Sequence, residues 1–162
     1  MTTRTMVLLR HAKAETPSTV PDWERPLTPR GHADATAAGA WLAARGTDPQ
    51  LVLCSPARRT RETWLDAGSA LGGQPEVRFS DELYAASVDA LLEAVRAVDD
   101  TVETVLVIGH NPAVSQLSAL LDTSGIATGL RTAGLAVHSF DGPWLTCGPD
   151  SAPLVAAHTA RA

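Results

Sequence analysis

The 162-residue chain is predicted to be an α/β protein. The expected architecture is a three-layer sandwich with a mostly parallel central sheet, antiparallel strands added late, and helices on both faces. Three observations carry that prediction. Short apolar runs of strand length alternate with longer stretches of helical period, the pattern of βαβ units. A cap residue followed by proline recurs at 28–29, 55–56 and 111–112, and the last two follow apolar runs directly. The final two apolar runs have no helix between them, so they join the sheet antiparallel.

Taken in order, residues 5–10 read as a short buried strand. Residues 14–27 are rich in proline, threonine and charge and read as a loop. Thr28-Pro29 starts a helix, with threonine as cap and proline at the first helical position. It runs to about Arg45, and Gly46 supplies the stop. Residues 51–54 are a second strand, and Ser55-Pro56 is expected to open a second helix. On that helix Ala57, Thr60, Trp64, Ala67 and Leu71 share a face, and Gly72-Gly73 end it. Residues 76–79 form a short strand. Ser87 caps a third helix with Val88, Leu91, Leu92, Val95 and Val98 as its stripe. Residues 104–108 are the clearest strand, bounded by Gly109. Asn111-Pro112 leads a helix to about Leu121, residues 123–132 form a Gly/Thr loop, and 135–140 and 154–157 are the late strands.

Composition bounds the function. Hydrophobic residues are 44% and charged residues 19%, which supports one real core over 1–162 and excludes a disordered chain. The length fits one domain and fits two poorly. No apolar run approaches the ~20 residues of a membrane span, and the N-terminus lacks the features of a signal peptide. The two cysteines, Cys54 and Cys147, form no metal or redox motif, so a reduced, cytoplasmic protein is expected. The net charge of -5 is uneven: residues 1–33 carry +2, residues 54–63 carry +2, and the remainder carries -9. An acidic body argues against nucleic-acid binding, which needs a broad basic face. Two local basic segments suit a pocket for a small anion.

Chemistry-bearing residues gather where strands are expected to end. Arg10-His11 ends the first strand; alone, the pair reads more simply as a surface arginine and a satisfied loop histidine than as a functional pair. Arg58, Arg59 and Arg61 begin the second helix, where the helix dipole disfavours cations unless they serve an anion. Gly109-His110 ends the strongest strand. In open α/β sheets ligands bind at this carboxyl edge, and helix N-termini there offer free N–H groups to anions.

Those segments resemble the histidine phosphatase superfamily, also called the phosphoglycerate-mutase-like fold. They are Arg10-His11, Ser-Pro-x-x-Arg with Arg59, Gly-His at 109–110, and Arg25-Pro-Leu-Thr-Pro-Arg-Gly31. Their order and the chain length are most similar to SixA-type phosphohistidine phosphatases. The resemblance spans residues 5–122 and touches the tail only loosely. It implies that His11 is a nucleophile forming a phosphohistidine intermediate. It also implies that Arg10, Arg59 and His110 bind the phosphoryl oxygens, with Arg25 a further substrate-binding candidate. No metal or cofactor is implied. The implied partner is a phosphohistidine-bearing protein or a small phosphorylated molecule, with neither nucleic acid nor membrane.

Two departures bear on substrate. Ala12 stands where the family has glycine. In Asp81-Glu-Leu-Tyr-Ala85, Ala85 falls where many members place a general-acid glutamate. Glu82 lies nearby, but on a strand one position of shift points a side chain to the opposite face. A missing acid favours a labile P–N bond over sugar phosphates. Two other readings stay open: a small-molecule phosphomonoesterase on the same fold, and a silent phosphoprotein-binding module.

Overall fold

The computed structural model describes residues 3–125 and 129–162. Part of the Gly/Thr loop expected at 123–132 therefore lies outside the described residues. Six strands form one sheet in the order β3-β2-β4-β1-β5-β6. They are β1 (Thr3–Arg10), β2 (Leu51–Cys54), β3 (Glu76–Phe79), β4 (Thr104–Gly109), β5 (Gly134–Asp141) and β6 (Leu154–Thr159). Strands β1 to β4 pair in parallel. Strand β5 runs antiparallel to both its neighbours, as the absence of an intervening helix predicts, and β6 extends two residues beyond the expected end.

Alternation along the strands divides the core. On β1, Met6 and Leu8 face one layer while Val7 and Leu9 face the other. The first layer is closed by α3 (Val88–Arg96) and α4 (Ala113–Leu121), through Leu91, Leu92, Val95, Val114, Leu117 and Leu121. The second is closed by α1 (Pro29–Ala44) and α2 (Arg58–Leu71), through Ala35, Ala38, Leu42, Trp64 and Leu71. Both central strands are apolar on both faces because both faces are covered. Helices α1 and α2 approach so closely that a Cβ on Gly39 would meet the Ala67 carbonyl oxygen at 2.1 Å.

Of the three expected cap-proline starts, only the first forms. Thr28 Oγ1 accepts from Gly31 N at 2.9 Å with Pro29 at the first position. Helix α2 instead begins at Arg58 behind Ala57, and α4 at Ala113 behind Pro112. The reason is competition from tertiary partners. Ser55 N extends the sheet by bonding Ile108 O at 3.1 Å, and its hydroxyl meets His110 Nε2 at 2.8 Å. Asn111 spends its amide on Leu130 O at 2.8 Å and accepts from Ser115 Oγ. Neither side chain caps a backbone N–H within its helix.

Segment 81–85 also departs from expectation. Asp81–Leu83 is one turn of 3-10 helix rather than a strand, because the chain turns here from β3 toward α3 and buries Leu83. The alternation argument for Glu82 therefore does not apply. A second one-turn helix, Asp22–Glu24, interrupts the loop after β1 and buries none of its residues.

Candidate active site

Strand order builds the site. Strands β2, β4 and β1 are neighbours and parallel, so their carboxyl ends lie side by side. Two backbone hydrogen bonds join those ends: His11 N to Gly109 O at 3.1 Å and Ser55 N to Ile108 O at 3.1 Å. Three segments separated by some fifty residues each thereby meet at one edge. The rings of His11 and His110 lie 5.3 Å apart between centroids.

His11 is 8% exposed. Its Nδ1 lies 2.8 Å from the Ala12 carbonyl, an acceptor only, so Nδ1 carries the proton and Nε2 holds the free lone pair. Burial pushes its pKa down to about 3, a shift the Ala12 carbonyl opposes and the charges of His110, Arg59 and Arg10 reinforce. His110 is pushed down to about 4, again chiefly by burial and then by Arg59. Both rings are neutral at neutral pH. Ala12 is fully buried and donates its N–H to Thr63 Oγ1 at 3.0 Å. It is absent from the described residues with positive φ, so the backbone here has no need of glycine.

Ser55 Oγ accepts from Ala57 N at 3.3 Å, and among its described partners only His110 Nε2, at 2.8 Å, can receive the hydroxyl's own proton. That leaves the His110 proton on Nδ1, which is buried without a protein partner. Arg10 Nε and Arg59 Nε are likewise buried without partners. Arg4 Nε shares this condition but sits at the opposite end of β1, where its guanidinium bonds Asp100 O and Gly142 O.

The three arginines of α2 separate by exposure. Arg59 is 7% exposed, while Arg58 pairs with Glu62 at 3.0 Å and Arg61 turns back to Pro56 O at 2.9 Å on the surface. Arg25 is half-buried at the rim and reaches the site only through Asp22: its NH1 meets Asp22 Oδ1 at 3.1 Å and its Nε donates to Glu15 O at 2.9 Å.

Asp22 and Tyr84 complete the rim, and motif matching gave neither a role. Arg59 donates to the Asp22 backbone oxygen at 2.9 Å and to Asp22 Oδ2 at 3.0 Å. Tyr84 donates its hydroxyl to the same Oδ2 and sets its ring edge-on to His110 at 5.8 Å. Three charged or polar side chains, those of Arg59, Tyr84 and Arg25, thus meet at one carboxylate. No local periodicity announces such a cluster; proximity of Asp22 to the Arg25 segment was its only sequence signal.

Two hollows flank this rim. One, of about 270 Å³, is lined by Trp23, Pro56, Ala57, Asp81 and Tyr84. The other, of about 210 Å³, includes Tyr84, Ala85, His110 and Asn111. Ala85 and His110 both line the second hollow, whereas Glu82 lines neither. Among the described residues no group of three His, Cys, Asp or Glu side chains is placed to hold a metal ion, and no helix is long and apolar enough to cross a membrane.

Comparison with known proteins agrees with this geometry. The model of the histidine phosphatase superfamily, branch 1, matches residues 6–88. An uncharacterised protein of Mycobacterium leprae is 36% identical over 94% of this chain and 100% of its own length. A solved structure of a candidate phosphohistidine phosphatase SixA from Nakamurella multipartitia is 36% identical. It superposes with a TM-score of 0.85 over 100% of this chain and 99% of its own. The corresponding SixA candidate from Agrobacterium tumefaciens is 30% identical with a TM-score of 0.80, over 95% of this chain and 97% of its own. With a family model over half of the chain and relatives matched along their length, this chain belongs to the histidine phosphatase superfamily, branch 1.

Proposed function

We propose that the protein is a phosphatase that uses His11 as nucleophile and acts on phosphohistidine carried by another protein. The observation that carries this reading is the convergence of one free imidazole lone pair, His11 Nε2, with three unpartnered donors: Arg10 Nε, Arg59 Nε and His110 Nδ1. A buried donor without an acceptor costs ~1–3 kcal/mol. Three of them around one nucleophile suit a group with several anionic oxygens, and a phosphoryl group is such a ligand.

The chemistry follows from those atoms. His11 Nε2 attacks phosphorus in line, the bond to the leaving group breaks, and a phosphorus–nitrogen bond forms on His11. The two guanidinium groups and the His110 N–H hold the equatorial oxygens as charge redistributes. Water then attacks phosphorus from the vacated side, breaks the bond to His11 Nε2 and releases phosphate. The charge of the transition state is met by side chains already present, so the reaction is assigned no metal. Turnover unchanged by a chelator is the expected result.

Ala85 bears on the substrate. It lines the hollow that His110 also lines and has no proton to give. An alkoxide leaves poorly without one, and an imidazole from a P–N bond leaves readily. The SixA names of the two solved relatives agree with this choice.

The test is a comparison of kcat/KM for a phosphohistidine-bearing protein against a panel of phosphomonoesters. Phosphohistidine should rank first, and rates across aryl phosphates should fall steeply as the leaving group's pKa rises. A shallow slope with efficient alkyl phosphate turnover would transfer the assignment to a small-molecule phosphomonoesterase. Rapid quench with labelled substrate should place phosphate on His11, and His11→Ala should lose turnover while keeping its fold. Label on any other residue would remove the mechanism.

A further inference from the structure

Asp22 occupies an unusual place for a carboxylate. It lies against Arg59, the arginine most deeply buried at the site's edge, through both its backbone oxygen and Oδ2. Tyr84 donates to the same Oδ2, and Arg25 holds Oδ1 at 3.1 Å. A planar anion with two oxygens, gripped by two guanidinium groups and a hydroxyl, presents the pattern of contacts that a phosphoryl group makes. The one-turn helix that carries Asp22 has no buried residue, so its own packing holds it only lightly. Polar contacts to Arg59, Tyr84 and Arg25 hold it in place.

We propose that Asp22 is a specificity-determining residue: its carboxylate occupies the outer edge of Arg59 and competes there with the phosphoryl dianion. The inference rests on the functional reading above and goes beyond it. A dianion that offers only its own oxygens meets the repulsion of Asp22 and binds weakly. A substrate that also fills the hollow of Trp23, Pro56, Ala57, Asp81 and Tyr84 contacts the segments at both ends of the Asp22–Tyr84 hydrogen bond. It gains binding outside the phosphoryl pocket and moves the carboxylate aside. The site thereby selects a phosphoryl group presented on a larger body and discharges free phosphate readily.

Charge state supports this role over that of a proton donor. Tyr84 foremost, with Arg25 and Arg59, lowers the Asp22 pKa to about 2, so the carboxylate is ionised at any pH at which the protein works. The groups facing it are Tyr84, Arg59 and Arg25, with His110 beyond.

The substitution Asp22→Asn separates charge from geometry. It keeps the backbone oxygen that receives Arg59 NH1 and an amide oxygen able to receive NH2, and it removes the negative charge. The probe is inorganic phosphate, measured by titration calorimetry at low and high salt. The expected result is phosphate binding about tenfold tighter in Asp22→Asn at low salt, from removal of like-charge repulsion. The gain should shrink at high salt because the carboxylate is half-exposed. Tyr84→Phe, which loosens the same carboxylate, should move phosphate affinity the same way by a few fold, on the scale of one lost hydrogen bond. In turnover, KM for a small aryl phosphate should fall in Asp22→Asn more than KM for the phosphohistidine protein.

Equal or weaker phosphate binding in Asp22→Asn would overturn the proposal, since Asp22 would then serve to hold Arg59 in place. A selective loss of kcat with poor leaving groups would overturn it as well, since Asp22 would then act as an acid. Arg59→Ala is the control that separates this inference from the function it rests on. If that variant binds phosphate as the unaltered protein does, the phosphoryl site itself is misplaced. If it loses phosphate while Asp22→Asn gains nothing, only the role of Asp22 fails.

Discussion

Arg59, Arg58 and Arg61 are nearly adjacent in sequence yet differ in what they touch. Only Arg59 is buried beside His11 and His110, because residues one and two apart on a helix point in different directions. Arg59→Ala is expected to lower kcat/KM by about a hundredfold, the scale of losing one donor aimed at developing charge. Arg58→Ala and Arg61→Ala lose only exposed contacts and should stay within about threefold of the parent. Equal losses in all three would deny Arg59 its place. Ser55 acts through His110 rather than on substrate. Ser55→Ala removes the hydroxyl that sets the His110 proton on Nδ1. Turnover should fall by about tenfold, a single buried hydrogen bond's worth. Nitrogen-15 chemical shifts should show the Nδ1-protonated form of His110 declining, a change that simple loss of packing would not produce. Most of these residues stood out as motifs in the sequence. Ser55 was read as a helix cap, since its true partner lies 55 positions away.

At the scale of elements, two close approaches hold the site's frame. A Cβ on Gly31 would lie 2.1 Å from the Lys13 carbonyl oxygen, and one on Gly39 would lie 2.1 Å from the Ala67 carbonyl oxygen. Both obstacles are backbone and cannot rotate away. Each glycine-to-alanine change should therefore cost about 1–3 kcal/mol of stability, the range for overpacking. Their effects on activity should diverge. Gly31 packs the start of α1 against the loop that leads to Asp22 and Arg25, with Thr28 N bonded to Lys13 O at 2.9 Å. Gly31→Ala should shift phosphate affinity as well as Tm. Gly39 lies where α1 crosses α2, far along from the catalytic edge, so Gly39→Ala should lower Tm while activity at low temperature persists. Tm, expected to fall by about 2–12 °C for such ΔΔG values, together with kcat/KM measured well below each variant's midpoint, checks both. Equal activity loss in the two would show that the frame transmits strain to the site from either contact.

For the whole molecule, the site histidines carry a cost that pH reveals. His11 falls to about 3 and His110 to about 4 in the folded state, chiefly through burial, from an ordinary value of 6.5. The unfolded chain therefore binds more protons than the folded one between those values. Stability is full above pH 6.5 and declines as pH falls toward 4. His11→Ala removes one of these groups and should flatten that decline. Asp22 acts in the same sense at lower pH: its folded value of about 2 lies below the ordinary 3.8. Its contribution is present above pH 3.8 and is lost as pH falls toward 2, so at pH 4.5 and above the histidines dominate the decline. Urea denaturation at pH 4.5 and 7 for the parent and His11→Ala measures the difference. An unchanged pH dependence in the variant would show that His11 titrates normally.

The alternation of apolar runs with helical stretches, read residue by residue, already specified a mixed sheet between helices. The strand ends at Arg10 and Cys54, with Thr28 as a cap, followed from local pattern alone, and β4 runs one residue past its expected end to take in Gly109. These features rest on near neighbours, and burial on both faces leaves a continuous apolar run that any reader of the chain can see. What the tertiary structure alone decided is where non-neighbours compete. Helices α2 and α4 start late because Ser55 and Asn111 find partners across the sheet edge. Asp22 reaches Arg59 across 37 positions and Tyr84 across 62. The order β2-β4-β1 sets which segments meet, and strand order depends on the free energy of packing the entire sheet against its two helical layers. No window of local sequence carries that quantity.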